Sequence, residues 1–320
     1  MAVEVRTLRV AAVQMESKDG DIEGNLRRAT AFIDEAAGQG ARLILLPEFM
    51  PTGYLWTDDI WDGGEPSDGP TVSWLRGSSK RLNAWIGTSF LEAVGEDFFN
   101  TFVLTGPDGT EAGRVRKQVP AVGEAFFFKG DSGPHVIRTE VGLVGVGICY
   151  ENALSFFPEL MCSQSPDLIL MPHSAPSATP SLLVLERAIR KSDENLRGLA
   201  AYYAGALGVP VVFSNKSGKW KTKFLPGLAQ DSTFPGCSAI ADCDGALKAQ
   251  LGPEEGVIVE EIHLDPARKV RTPPSCRGRW TMKEPRYKYL FILIEAAGRT
   301  RYRLSRERRR RARQISSGRT

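Results

Sequence analysis

Apolar strand-like segments alternate with an amphipathic helix at the start of this 320-residue chain. LRVAAVQM (8–15) has the pattern of a strand, and ARLILLPE (41–48) is an almost unbroken apolar run. Such a run predicts a strand covered on both faces, because a strand with one face in water alternates apolar and polar residues. The intervening segment 25–40 predicts a helix whose apolar face carries Leu26, Ala29, Ile33 and Ala36. The order strand, helix, strand indicates an α/β fold.

The rest of the chain continues this alternation, with hairpins between some strands. Helices are predicted at 71–83, 153–163 and 181–207, and strands at 84–94, around the turn 106–109, and at 140–150, 167–172, 209–215, 237–252 and 256–264. No repeat of fixed period and no low-complexity linker divides the sequence before its C-terminal end. These patterns predict one α/β domain that contains a mixed sheet or two stacked sheets.

Composition excludes several classes of protein. The chain is 42% hydrophobic and 25% charged, which is typical of a globular protein. Its longest apolar stretches fall short of the roughly 20 residues that cross a bilayer, so no membrane partner is expected. The N-terminus lacks the pattern of a signal peptide, and we expect a cytoplasmic protein. Five scattered cysteines without a CxxC pair predict neither a disulfide framework nor a metal site.

The basic residues concentrate at the C-terminal end. The formal net charge is +3, but the last 20 residues carry nine arginines against one glutamate. A solvated or frayed terminus is the favoured interpretation, since no aromatic residues alternate with the arginines as in a nucleic-acid-binding segment. Nucleic acid is therefore not an expected partner, and binding of nucleic acid or of an acidic partner through this tail stays an alternative.

Three polar residues each close an apolar strand, namely Glu48, Cys149 and His173. Strand ends of an α/β fold meet at a crevice, so these side chains are candidates for one pocket. Cys149, in GICYEN (147–152), is either a buried packing residue or a nucleophile on a sharp turn after its strand. A cysteine nucleophile needs a base, and none of the three histidines has a supporting motif. A carboxylate base with a lysine partner is the alternative, for which Glu48 and Lys117 are candidates.

The sequence resembles the nitrilase family of carbon-nitrogen hydrolases over about residues 7–265. The resemblance rests on LILLPEFMPTGY, GRVRKQVPAVGEAFFFKGD and GLVGVGICYEN, in this order, and on DLILMPHSA and VPVVFSNKSG after them. It implies a catalytic triad of Glu48, Lys117 and Cys149, with Glu124 as a supporting acid. It also implies a two-sheet αββα sandwich, a homodimer or higher homo-oligomer, and no cofactor. The domain would span residues 1–298, followed by an arginine-rich tail at 299–320.

The chemistry that the resemblance implies is hydrolysis of a non-peptide C-N bond through a thioester on Cys149. Glu48 would accept the thiol proton, and Lys117 with the backbone N-H of Tyr150 would stabilise the oxyanion. The expected substrate is a small amide or N-carbamoyl compound that releases ammonia, and a nitrile is the alternative. Cys149-Tyr150-Glu151 mixes sequence features of the family's branches. The candidate pocket residues are Tyr54, Trp56, Phe126 and His173.

Overall fold

A computed structural model describes residues 4–180, 185–225, 228–276, 278–281 and 288–318. One six-stranded sheet has the strand order β14-β1-β2-β3-β4-β5. Its strands are β1 (Arg6–Gln14), β2 (Leu43–Leu45), β3 (Trp85–Val94), β4 (Asp97–Thr105), β5 (Glu111–Arg116) and β14 (Gly256–Leu264). The three strands β1, β2 and β3 are parallel, and the strands on both sides of them pair antiparallel.

The second six-stranded sheet repeats this plan with the order β13-β12-β9-β8-β7-β6. It contains β6 (Val136–Thr139), β7 (Gly142–Val146), β8 (Leu168–Pro172), β9 (Val211–Ser214), β12 (Ala239–Ala241) and β13 (Leu247–Gln250). Here β7, β8 and β9 are parallel, and the outer strands are antiparallel. The strands β10 (Lys219–Leu225) and β11 (Leu228–Thr233) form a separate pair.

The two sheets pack face to face. Helices α1 (Ile22–Gly38) and α2 (Pro70–Leu82) cover the outer face of the first sheet, and α3 (Phe156–Gln164) and α5 (Leu199–Leu207) cover that of the second. Helix α4 (Glu186–Arg197) precedes α5 and has no buried residue. In β2, Leu43 and Leu45 enter the core between the sheets, whereas Ile44 packs under α1 and α2. This confirms that the apolar run is covered on both faces, because successive side chains of a strand point in opposite directions. The αββα sandwich is the fold that the family resemblance implies.

Several predicted elements differ from the structure near the strand ends. The predicted strand 140–150 ends at Val146, and residues Cys149–Ala153 form a short 3-10 helix. Strand pairing of 41–48 is limited to Leu43–Leu45, and the chain then turns away from the sheet. The predicted helical segment 181–207 contains α4 and α5, which meet at Gly198, and its residues 181–184 lie outside the described residues. No helix within the described ranges is long and apolar enough to cross a membrane.

The C-terminal segment folds onto the domain, so the expectation of a solvated or frayed terminus is wrong for the residues described. It contains α6 (Lys288–Leu304) and α7 (Arg306–Ser316), and α6 runs across the boundary expected at residue 298. Tyr302, Arg308 and Ala312 are buried against the first sheet and the loop before α2. Ion pairs join the segment to acidic residues of the domain: Arg301 to Asp58, Arg308 to Asp97, Arg311 to Asp62 and Arg313 to Glu96.

Candidate active site

Glu48 lies just beyond β2, where the chain leaves the first sheet and meets the second. Its side chain is fully buried, and its backbone N-H donates to the His173 carbonyl at 3.2 Å. Oε1 accepts hydrogen bonds from Asn100 Nδ2 at 2.7 Å and Lys117 Nζ at 2.8 Å. Oε2 accepts the backbone N-H of Ser174 at 2.8 Å. Donors from the first sheet therefore hold Oε1, and a donor that follows β8 of the second sheet holds Oε2.

Lys117 follows β5 directly and is also fully buried. Its Nζ donates to Glu48 Oε1 at 2.8 Å and to Glu124 Oε2 and Oε1 at 2.8 and 3.1 Å. Glu124 lies in the 3-10 helix Val122–Phe126 and also accepts the Tyr54 hydroxyl at 2.8 Å and the Ala121 N-H at 2.6 Å. One ammonium group thus bridges two buried carboxylates that are 76 residues apart in the chain.

Cys149 begins the short helix after β7 with a backbone φ of 53°, in the left-handed region that non-glycine residues seldom adopt. The residue is buried, with 7% of its surface exposed. The charges of Glu48, Lys117 and Glu124 all act on its thiol. The structure therefore brings the predicted Glu48, Lys117, Glu124 and Cys149 into one buried cluster.

Burial and mutual charge set the protonation states in this cluster. Burial, reinforced by Glu48, raises the pKa of the Cys149 thiol well above its usual value, although Lys117 opposes the shift. Burial opposes the charged form of Lys117, but Glu124 and Glu48 outweigh it and raise the pKa of the ammonium. Burial and Glu48 raise the pKa of Glu124 to about 7 against the attraction of Lys117. At neutral pH the resting site therefore holds a neutral thiol and a charged lysine, so sulfur attack requires a proton acceptor.

Glu151 is a site residue whose contacts the sequence analysis did not anticipate. Its carboxylate is fully buried and accepts the Ile148 N-H at 2.9 Å and the Gln118 N-H at 2.6 Å. His135 Nε2 lies 3.2 Å from the same carboxylate. Glu151 thereby ties the residue before Cys149 to the residue after Lys117. The Glu151 contact with the Ile148 N-H is the second half of a capping box, but the N-cap residue is an isoleucine, so the Ser or Thr that signals this motif in a sequence is missing.

Among the candidate pocket residues, Tyr54 reaches the charged cluster with its side chain, through its hydroxyl bond to Glu124. Trp56 lies one ring further out, with its centroid 5.8 Å from that of Tyr54. Phe126 follows Glu124 closely, but its ring faces the C-terminal helix at Gly298. Aromatic side chains therefore lie on the side of the charged cluster where Tyr54 contacts Glu124.

His173 and Tyr150 have side chains engaged by other partners. His173 Nε2 lies 2.8 Å from Asn152 Nδ2, and burial lowers the pKa of this imidazole well below its usual value. The Tyr150 hydroxyl donates to Glu295 at 3.1 Å, so only its backbone remains for the role expected of it. Over the described ranges, no group of three His, Cys, Asp or Glu side chains is placed to hold a metal ion.

Comparisons with known proteins identify the family of the chain. The sequence model of the carbon-nitrogen hydrolase family matches residues 9–272. The chain is 31% identical over 284 residues to the N-carbamoylputrescine amidase of Solanum tuberosum, with 85% of this chain and 91% of the relative covered. It is 29% identical over 252 residues to the citrullinase of Francisella tularensis, with 74% and 82% covered.

Solved structures share the fold at lower sequence identity. A carbon-nitrogen hydrolase from Helicobacter pylori superimposes with a TM-score of 0.72 at 18% identity, covering 81% of this chain and 90% of that one. An amidase from Nesterenkonia sp. gives a TM-score of 0.66 at 20% identity, covering 82% and 93%. Both similarities concern the two-sheet sandwich itself.

Proposed function

The chain belongs to the carbon-nitrogen hydrolase family, and we propose that it hydrolyses a small amide or N-carbamoyl compound through a thioester on Cys149. The observation that carries this proposal is the buried lysine bridging two carboxylates beside the cysteine. A neutral thiol next to a fixed carboxylate and a fixed positive charge has the three parts that acyl transfer to sulfur needs. The roles of Glu48, Lys117 and Cys149 in catalysis are part of this proposal.

In the first step Glu48 accepts the thiol proton while sulfur attacks the carbonyl carbon of the substrate. The carbonyl electrons move to oxygen, and the oxyanion is stabilised by Lys117 and by the N-H of Tyr150. The C-N bond then breaks, and Glu48 returns the proton to the departing nitrogen, which leaves as ammonia. Lys117 cannot serve as the base near neutral pH because its pKa is raised, so it contributes its charge alone.

In the second step Glu48 takes a proton from water as the water oxygen attacks the thioester. The C-S bond breaks, and the sulfur recovers its proton as the acid product forms. With an N-carbamoyl amine, the same two steps give ammonia and a carbamic acid, which decomposes to carbon dioxide and the amine. The site therefore needs no reactant besides water for either substrate class.

The substrate class is supported by the relatives named above, because an N-carbamoylputrescine amidase and a citrullinase both have names that specify carbamoyl compounds. N-carbamoylputrescine and citrulline each carry an amino group besides the carbamoylated nitrogen, so carbamoyl compounds with a second polar end are the first to assay. A matching nitrile serves as the competing substrate class. Ammonia released from the carbamoyl compound or the amide, but not from the nitrile, is the expected result.

The decisive test of the nucleophile compares two cysteines with similar burial and backbone conformation. Cys149 and Cys237 are both buried and both have a positive φ, of 53° and 63°. Cys149→Ala should abolish turnover, and Cys237→Ala should retain it. Mass spectrometry during turnover should find the acyl adduct on the Cys149 peptide. Turnover by Cys149→Ala, or an adduct on another cysteine, would contradict the proposed mechanism.

Location and assembly complete the proposal. The five cysteines are all free, which suits a reducing compartment, and we place the protein in the cytoplasm. The homodimer or higher homo-oligomer implied by the family resemblance is tested by light scattering over a range of protein concentrations. Fractionation of the source cells tests the location. A monomer at all concentrations, or recovery with secreted proteins, would contradict these two parts separately.

A further inference from the structure

Residues 278–281 lie beyond residue 272, where the family match ends, and run alongside the loop that carries Cys149. The Ser155 N-H donates to the Arg279 carbonyl at 2.9 Å, and the Thr281 N-H donates to the Ala153 carbonyl at 3.0 Å. Trp280 lies between these two hydrogen bonds and packs edge-on against the Tyr150 ring, with centroids 5.7 Å apart. Residues 279–281 therefore pack along one side of the loop that carries Cys149.

Glu295 on α6 contacts the same loop through Tyr150. Its side chain is almost completely buried, with the residue 1% exposed, and its Oε1 accepts the Tyr150 hydroxyl at 3.1 Å. Oε2 accepts Arg279 Nη2 at 3.0 Å, and Arg299 lies 3.8 Å away. A buried carboxylate costs folding free energy unless it is paired, and here two arginines compensate the charge. The remaining oxygen is directed at the residue that follows Cys149.

The same face of α6 also contacts the short helix that carries Glu124. Gly298 lies three residues after Glu295 and hence on the same side of the helix. A Cβ atom at Gly298 would lie 2.7 Å from Phe126 Cδ2 and 2.9 Å from the Ala125 carbonyl carbon, so the helix approaches as closely as glycine permits. One helical turn thus contacts the loops of both Cys149 and Glu124.

We propose that Glu295 is a positioning residue, which holds the Tyr150 ring so that the Tyr150 N-H faces the oxyanion formed at Cys149. This inference rests on the proposed function and extends it beyond the region that the family match covers. Donor placement matters because a displacement of about 1 Å at a reacting centre lowers rates by about 100-fold. Glu295 does not touch the substrate in this account, so its loss should lower kcat more than it changes KM.

A double-mutant cycle tests whether Glu295 acts through Tyr150. We expect Glu295→Ala and Tyr150→Phe each to lower kcat by about 10-fold or more, with the double variant no worse than the single ones. Tyr150→Phe keeps the ring on Trp280 and removes only the hydroxyl, so it tests the contact with little risk to folding. Glu307→Ala is the control for loss of a paired glutamate, because this half-exposed residue of α7 also pairs with two arginines but makes no contact with the Cys149 loop.

Alkylation by iodoacetamide supplies a readout that does not require turnover. Loss of Glu295 should speed labelling of the buried Cys149, as its loop loosens, while Cys237 in the same sample stays protected. Parallel labelling of both cysteines would indicate general loss of structure and overturn the positioning role. Unchanged kcat in Glu295→Ala, or losses that multiply in the double variant, would overturn it as well. If the wild type hydrolyses no amide or carbamoyl compound, the proposed function fails, whereas the labelling comparison still decides whether Glu295 holds the Cys149 loop in place.

Discussion

Replacing Lys117 by methionine would leave Glu48 and Glu124 facing each other in the buried cluster without their shared positive charge. Lys117 makes three hydrogen bonds of 2.8–3.1 Å to these carboxylates, and all three side chains are almost completely inaccessible to water. Removing one partner of a buried ion pair costs about 3–5 kcal/mol, because the remaining charge is neither solvated nor paired. We expect a loss of unfolding free energy in this range at pH 8.

The loss should depend on pH in a defined direction. In the wild type the pKa of Glu124 is already raised from 4.5 to about 7, so the folded state binds a proton that the unfolded chain releases between these values. Stability from this group therefore falls as pH rises from 4.5 through 7. Without Lys117 the pKa of Glu124 rises further, because the charge that lowers it is lost. The difference between variant and wild type should therefore widen above pH 7 and narrow toward pH 5.

Urea denaturation at pH 5, 7 and 8 measures this dependence. Adding Glu124→Gln to Lys117→Met should recover about 1–3 kcal/mol at pH 8, because it removes one of the two unpaired charges. Lys129→Met is the control: this lysine pairs with Asp97 at 3.1 Å but is 54% exposed, so its loss should cost less than about 1 kcal/mol. A Lys117→Met effect that is independent of pH and unchanged by Glu124→Gln would refute the electrostatic reasoning. The kcat of Lys117→Met should fall at least about 100-fold.

Three further predictions concern other parts of the molecule. The carboxyl group of Glu124 contributes a fall in stability between pH 4.5 and about 7, and Glu124→Gln should abolish this fall in urea titrations. An unaltered pH dependence would assign the fall to another group. Arg308→Ala should lower the free energy of unfolding by about 3 kcal/mol, because this buried guanidinium pairs with an aspartate, while Arg306→Ala on the exposed side of α7 should leave Tm unchanged. Gly298→Ala should lower stability by about 1–3 kcal/mol in thermal melts, because the added methyl group would clash with backbone atoms. Gly77→Ala is the control and should stabilise the protein slightly, since this α2 position has open space around it. Equal effects of the two substitutions would show that α6 packs loosely.

The sequence alone determined much of the order of strands and helices up to β9, because this order depends on local patterns, but it did not predict β6, β10, β11, α6 or α7. The alternating and unbroken apolar runs predicted the strand-helix-strand opening, and Leu43 and Ile44 do face opposite sides of the first sheet. The motifs around Glu48, Lys117 and Cys149 carried the family resemblance. Helix α1 begins and ends within three residues of its prediction, since its apolar face recurs at helical spacing.

Tertiary structure alone decided which polar groups share a buried space. The carboxylate of Glu151 binds the N-H of Gln118, 33 residues earlier, and Glu295 binds Tyr150 across 145 residues. No periodic pattern encodes such pairs, because local patterns reach only one or two helical turns along the chain. The arginine-rich end shows the same limit: its composition predicts solvation, but the acidic side chains that pair with it lie in other segments, and only folding brings them to Arg301 and Arg308. Burial of a charged side chain depends on a partner that is distant in sequence, and the partner becomes known only when the chain is folded.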